Sequence, residues 1–108
     1  MAKARVKGAV VGEYGKGYAV CCKDFDETAQ DISTYTGITI KSRSPDAKRT
    51  FSSTGSFLTD GSDGWVSWSF DSDNYPDRPG DWDEQVWLSK SATLTKSYPF
   101  ILEVEESI

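Results

Sequence analysis

The segment from Leu58 to Phe70, with the sequence LTDGSDGWVSWSF, constrains the fold more than any other part of the chain. It contains two Asp-Gly pairs in close succession, and a glycine after an aspartate permits the positive φ angle that a tight turn needs. The six residues after the second pair are rich in aromatic and β-branched side chains with a period near two, which is typical of a β-strand. The segment therefore predicts a sharp reversal of the chain that leads directly into a strand.

The same alternation predicts which side chains of this strand are buried. Val66, Trp68 and Phe70 share one face, which we assign to the core, and Trp65 lies on the opposite face. A buried aromatic ring removes roughly 150 to 250 Å² from water, so a few rings supply much of the core of a small domain. We predict that Trp68 and Trp82 are both core residues.

The rest of the chain consists of short segments of similar character, separated by turn residues, and none has a sustained helical period. The predicted strands are residues 4–11, 17–23, 38–43, 48–58 with an interruption at Gly55, 65–70, 81–89 and 97–105. Turns are predicted at residues 24–30, 44–47 and 91–95. This spacing predicts that residues 1–108 form a single domain with a short basic arm at residues 1–7. The predicted fold is an immunoglobulin-like antiparallel β-sandwich of about seven strands.

Charge is unevenly distributed along the sequence, whose net charge is −5. Residues 1–23 hold five basic side chains against one glutamate, whereas residues 60–84 hold eight acidic side chains against one arginine. One interpretation is that the basic arm lies on the acidic flank, residues 71–83, of an adjacent chain; the other is an ordinary solvated surface. The overall acidic balance disfavours nucleic acid as a partner.

The cysteines and the apolar segments predict the compartment. Cys21 and Cys22 are adjacent, so on a strand they point to opposite faces and cannot form an ordinary disulfide. This usage fits a reducing cytoplasm. The first residues lack the apolar segment of a signal peptide, and the longest apolar run is too short to cross a membrane.

The sequence offers little for catalysis or for metal binding. It has no histidine, the commonest general base, and its aspartates cluster in turns, where they usually make local hydrogen bonds. A glycosidase-type carboxylate pair stays an alternative. Residues 71–77 resemble the start of a calcium loop, but the glycine and the bidentate glutamate are missing, so only a weak site would remain. We predict no enzymatic activity, no catalytic residue, no cofactor and no metal site.

Five motifs occur in an order that points to a known family. They are DIS at 31–33, SPDA at 44–47, TDGSDGWVSW at 59–68, PGDW at 79–82 and FILEVEES at 100–107. Together they resemble the small immunoglobulin-like domain of tailed-bacteriophage virion proteins, a domain also found at the amino terminus of phage baseplate upper proteins. The resemblance covers about residues 12–105 and consists of turn chemistry. Ala47 departs from the family pattern, which favours glycine at that position.

The resemblance implies a non-catalytic structural component of a virion, made in the host cytoplasm. Such a component would be an accessory or decoration module that docks on head, neck or tail and baseplate proteins, or on copies of itself. We predict an interface made by the basic arm and by exposed aromatic rings; its residues are Lys3, Arg5, Lys7, Trp65, Tyr75 and Trp87. The alternative is a carbohydrate-binding module in which an exposed Trp65 or Trp87, together with Tyr75, forms a stacking platform for a sugar ring.

Overall fold

The structure, a computed structural model, describes residues 3–23 and 28–108 and consists of β-strands joined by turns. Its strands are β1 (Arg5–Val10), β2 (Gly17–Cys21), β3 (Gly37–Arg43), β4 (Thr50–Phe57), β5 (Trp65–Ser69), β6 (Gly80–Lys90), β7 (Thr93–Lys96) and β8 (Phe100–Glu105). No helix occurs within the described ranges, so the all-β prediction is confirmed. The same part of the chain contains no helix with the length and apolar character of a membrane span.

The strands form one mixed sheet that nearly closes on itself. Its order is β1-β8-β6-β3-β4-β5-β2, and β7 pairs with β6 beside β8. The first and last strands of this order, β1 and β2, lie next to each other, so the sheet approaches a closed barrel. The prediction of a purely antiparallel arrangement is wrong for one pair, because β1 runs parallel to β8. Alternation within a segment identifies a strand, but it carries no information on the direction of a partner so distant in sequence.

Strand β4 belongs to two parts of the sheet. Its residues 50–54 pair with β3, and its residues 55–57 pair with β5. The partner changes at Gly55, where a Cβ atom would lie 2.8 Å from Cγ2 of Ile38. The predicted interruption at Gly55 is therefore a change of partner within a continuous strand.

Strand β7 was not predicted, because residues 91–95 were assigned to a turn and the last strand was expected to begin at residue 97. Lys90 pairs with Thr93 around a two-residue loop, and Ser91 in that loop has a φ of 40°. Leu94 is the single large apolar residue of β7, and it is 56% exposed. The strand consequently lacks the alternating buried face by which the other strands are recognised.

The core lies inside the curved sheet and contains the predicted aromatic residues. Trp68 and Trp82 are both buried, as predicted, together with Val66 and Phe70. The rings of Trp68 on β5 and Phe100 on β8 have centroids 5.5 Å apart. Side chains from opposite parts of the sheet thus pack directly against each other.

The two Asp-Gly turns adopt the predicted conformation and hold the connection between β2 and β3. Gly61 and Gly64 have φ angles of 88° and 82°. The carbonyl oxygen of Gly61 accepts a hydrogen bond from the Ile32 amide at 2.8 Å, and that of Gly64 accepts one from the Cys22 amide at 2.7 Å. In the polar turn predicted for residues 24–30, the first four residues lie outside the described ones.

Ala47 occupies a backbone conformation that favours glycine. Its φ is 59°, in the turn between β3 and β4. A left-handed conformation costs a non-glycine residue roughly 1 to 2 kcal/mol. We expect Ala47→Gly to raise the free energy of unfolding by about 0.5 to 1 kcal/mol, measured by denaturant titration. Ala92→Gly is the matched control, because Ala92 lies in a turn but has no positive φ. This variant should be less stable than the wild-type chain, since glycine loses more conformational freedom on folding. An equal loss of stability in both variants would contradict the prediction.

Candidate functional site

A shallow groove with a volume of about 480 Å³ crosses the outer face of β3, β4 and β6. Successive residues of a strand point to opposite sides of the sheet, so alternate residues of these strands reach the groove while their neighbours enter the core. The outward side chains that line the groove are Lys41 and Arg43 of β3, Thr50 and Ser52 of β4, and Asp83, Gln85 and Trp87 of β6, with Lys3 and Pro99 at its border.

Trp87 is held in place at this groove by contacts on several sides. The Nζ atom of Lys41, on β3, lies 4.6 Å from the centroid of its ring, and Nζ of Lys96, on β7, lies 4.1 Å from it. The indole Nε1 donates a hydrogen bond to Oε1 of Gln85 at 3.0 Å. Gln85 in turn donates from Nε2 to the Ser97 carbonyl at 3.0 Å. The ring and the two ammonium groups therefore form a preorganised unit.

The groove carries a surplus of positive charge in a chain that is acidic overall. Arg43 donates from Nη2 to Oδ2 of Asp83 at 3.1 Å, and Nζ of Lys3 lies 3.6 Å from the other oxygen of the same carboxylate. The remaining two cations, Lys41 and Lys96, are those beside the tryptophan. Lys3, Lys41 and Arg43 thus line the groove together with Asp83 and the buried Glu84, and Lys96 adds a fourth cation beside Trp87.

The basic arm contacts acidic residues of its own chain. Arg5 donates to Asp81 and to Glu103, with both N–O distances 2.8 Å. Lys3 reaches the groove, and Lys7 is an exposed residue of β1. The structure thus gives Lys3 and Arg5 acidic partners within the same chain, and a contact of the arm with an adjacent chain stays a prediction. Pairing of β1 with β8 brings the arm beside the acidic residues of β6 and β8 in the same molecule.

The predicted aromatic anchors lie on separate parts of the surface. Trp65 begins β5 on the outer side of the sheet and is 40% exposed. Tyr75 lies in the loop between β5 and β6, with its ring centroid 5.7 Å from that of Tyr14. Trp87 lies on β6 and lines the groove. Of the other predicted interface residues, Lys3 also lines it. No ring contact joins any two of these three side chains within the described residues, and sugar binding stays an untested alternative.

Asp77 of the predicted acidic flank belongs to an internal ion-pair network. Asp77 accepts hydrogen bonds from Arg78 at 2.9 Å and from Arg49 at 2.6 Å, and these contacts hold its pKa below the ordinary value. Arg78 also contacts Asp46 in the turn between β3 and β4. The Arg78 carbonyl accepts a hydrogen bond from Nε1 of Trp82 at 2.9 Å. The network joins two loops to the core, which is a structural role.

The aspartates that resembled a calcium loop make contacts within the loop. Oδ1 of Asp71 accepts hydrogen bonds from the amides of Asp73 and Asn74, at 2.9 and 2.8 Å. In residues 3–23 and 28–108, no group of three or more histidine, cysteine, aspartate or glutamate residues is placed to hold a metal ion.

The two cysteines are free, and neither has an activated thiol. Cys22 is buried, and burial raises the pKa of its thiol to about 12. Burial also raises the pKa of Cys21. The thiolate is the nucleophilic form of cysteine, so both side chains are poor nucleophiles at neutral pH.

Glu84 is an isolated buried carboxyl group. It lies on the inward face of β6 with 1% of its surface exposed. Neither of its oxygens, nor the hydroxyl of Ser42 opposite it on β3, makes a hydrogen bond of good geometry among the described residues. The nearby Ser42 hydroxyl favours the ionised carboxylate and lowers its pKa, but burial outweighs this effect. Burial raises the pKa of Glu84 to about 8, so the side chain is largely neutral at pH 7.

The sequence prediction missed Lys41 and Lys96 as partners of Trp87. Both contacts are made across strands, and one comes from β7, which was not predicted. The available sequence signal was one lysine at an outward position of each strand, Lys41 in β3 and Lys96 in β7. These positions identify neighbours of Trp87 only once the register between the strands is known.

The chain matches no protein-family model, and no curated protein matches it significantly. The functional proposal therefore depends on the geometry of the groove and on the sequence motifs.

Proposed function

We propose that the chain is a non-catalytic structural component of a tailed-phage virion, a small module that docks on head, neck or tail proteins. The observation that carries the proposal is the groove with its fixed tryptophan and flanking cations. Tryptophan and arginine are enriched at the centres of protein interfaces, where rigid side chains lose little entropy on binding. A groove built on paired strands is also a surface that changes little between the free and the bound state.

The finer fold class, an immunoglobulin-like sandwich, is part of this proposal. Two features support it: β4 divides its pairing between β3 and β5, and rings from opposite parts of the sheet meet in the core. The conformation of Ala47 also supports the resemblance to phage virion domains. The family favours glycine there, and the backbone of this chain adopts a left-handed angle at that position.

The non-catalytic part of the proposal is supported by the chemistry of the reactive side chains. The two thiols have raised pKa values, and the chain has no histidine to activate them. Glu84 is buried on the inward face of β6, whereas the adjacent carboxylate, Asp83, points outward and is paired with Arg43 and Lys3. A hydrolase activity that two specific aspartate substitutions abolish would contradict this part.

Virion membership is tested by quantitative mass spectrometry of purified phage particles. We expect the chain to copurify with particles at a fixed ratio to the major capsid protein. Hundreds of copies would indicate a decoration protein, and roughly six or twelve would indicate a ring at the neck or baseplate, because virion parts follow closed symmetries.

The control is the abundance of host cytoplasmic proteins in the same preparations, which should fall with each purification step. A chain that falls in parallel with these proteins is a contaminant, and that result would contradict the proposal. Absence from particles together with binding to a glycan array would favour the carbohydrate-binding alternative.

A further inference from the structure

We infer that the groove on β3, β4 and β6 binds an acidic segment of a partner protein, whose carboxylates contact Lys41 and Lys96 beside Trp87. The inference rests on the proposed docking role for its choice of a protein as the partner. It adds the docking face and the chemistry of the segment that this face recognises.

The hydrogen-bonding groups of the groove select for an acceptor. The two acceptors nearest the tryptophan are engaged: Gln85 Oε1 by the indole Nε1, and the Ser97 carbonyl by the Gln85 amide. The Asp83 carboxylate is shared by an arginine and a lysine. By contrast, each ammonium group has three N–H donors, and within the described part of the chain that of Lys41 makes a single hydrogen bond, to Ser52 Oγ at 2.9 Å. The ligand that satisfies these donors carries carboxylates or similar oxyanions.

The crowding of positive charge at Trp87 gives an anion a further advantage. Lys41 and Lys96 approach one ring from the strands on either side of β6, at 4.6 and 4.1 Å. The ring attracts each ammonium group, but the two cations repel one another. A carboxylate bound beside both relieves this repulsion, and the ammonium groups need little ordering because the ring already positions them.

The size of the groove and the charge of the remaining surface favour a short acidic protein segment over a long polyanion. The net charge of the chain is −5 although the groove itself is positive, so the surface outside it is strongly acidic. Nucleic acid binding needs many phosphate contacts along an extended basic surface, which this chain does not present beyond the groove. A segment of a few residues with two or three carboxylates stays within the positive area.

Titration of the isotopically labelled full chain, followed by NMR, tests the inference. The probe is a capped peptide of about ten residues that alternates glutamate and serine, long enough to span the groove when extended. We expect shifts of the Trp87 indole N–H and of the amides of Lys41 and Lys96, with an affinity that falls as salt is raised from about 20 to about 300 mM. A peptide that alternates lysine and serine should produce no shifts at these positions.

Matched variants separate the groove from general charge. Lys41→Glu and Lys96→Glu should each weaken binding by about fivefold or more, because each replaces an attraction by a repulsion next to the ligand. Lys7→Glu makes the same charge change on β1, outside the groove, and should change the affinity by less than about twofold. Unchanged dispersion of the free spectra would show that the variants are folded.

Three results would overturn the inference. They are shifts confined to residues outside the groove, equal weakening by Lys7→Glu and Lys41→Glu, and stronger binding of a heparin octasaccharide or of oligouridylate at the same residues. None of these results depends on virion membership. Failure of peptide binding therefore leaves the proposed function open, and absence from particles leaves the groove chemistry open.

Discussion

Raising the pH from about 5 to about 8 is expected to lower the free energy of unfolding by on the order of 3 kcal/mol, because Glu84 must stay neutral in the folded chain. The group is buried on β6 without a hydrogen bond of good geometry among the described residues. Its nearest polar neighbour across the strand pair is Ser42, which offers no charge to compensate an ionised carboxylate.

The direction of the effect follows from the two protonation equilibria. The pKa of Glu84 is raised from its ordinary value of 4.5 to about 8 in the folded chain. Between these values the folded chain holds a proton that the unfolded chain has released, so stability is highest at or below pH 4.5 and falls until the pH passes about 8. The absence of histidine leaves few other groups that titrate in this interval.

Urea titrations at several pH values measure the effect. Glu84→Gln removes the titrating proton with little change of shape and should flatten the profile between pH 5 and 8. Glu105→Gln, at an exposed position of β8, is the matched control and should retain the wild-type slope. A flat wild-type profile, or the same slope in the Glu84→Gln variant, would show that the buried carboxyl group is compensated in solution.

Replacement of either core tryptophan by alanine is expected to lower the free energy of unfolding by about 3 to 5 kcal/mol. Trp82 and Trp68 are both buried, and their rings contact Phe51 and Phe100, respectively. Trp65→Ala, at a 40% exposed ring on the outer side of the sheet, is the control and should cost less, about 2 kcal/mol, because it leaves no closed cavity. A loss at Trp65 equal to that at the core positions would contradict this description of the core.

Phenylalanine substitutions distinguish the two core tryptophans. Nε1 of Trp82 donates to the Arg78 carbonyl at 2.9 Å, whereas Nε1 of Trp68 has no partner among the described residues. Trp82→Phe loses ring area and a hydrogen bond, so we expect it to cost about 1 kcal/mol more than Trp68→Phe. Denaturant unfolding of the pair at one pH measures the difference, and equal losses would show that the indole hydrogen bond contributes nothing.

The sequence predicted the strands that have one regular buried face, and the turns that require a particular φ angle. Local chemistry determines the positive φ angles of Gly61 and Gly64, so the sequence predicted these turns. The burial of Val66, Trp68 and Phe70 was predicted for the same reason. Strand β7 could not be predicted from the sequence, because its stability comes from pairing with β6 and it has no apolar face of its own.

The candidate site could be predicted from the sequence only in part, for a related reason. Alternation assigned Trp87 to the outer face, but the positions of Lys41 and Lys96 beside it depend on the register between strands. The sequence suggested the acidic flank of a second copy as an acceptor for the basic arm, and in the structure Lys3 and Arg5 contact Asp83 and Asp81 of their own chain. Whether the partner was the same molecule depended on the parallel pairing of β1 with β8, which no local pattern encodes.

That parallel pair has a consequence for synthesis. During translation β1 leaves the ribosome before the other strands of this sheet, and its ladder partner β8 emerges after them. The pair joins segments at opposite ends of the order of synthesis, and contacts of such sequence separation form slowly because a long loop must close first. Until β8 is released, one side of β1 and the free edge of β6 lack their partners, and unpaired strand edges are prone to aggregation. The nascent chain is therefore most vulnerable to intermolecular pairing in the interval before β8 is made.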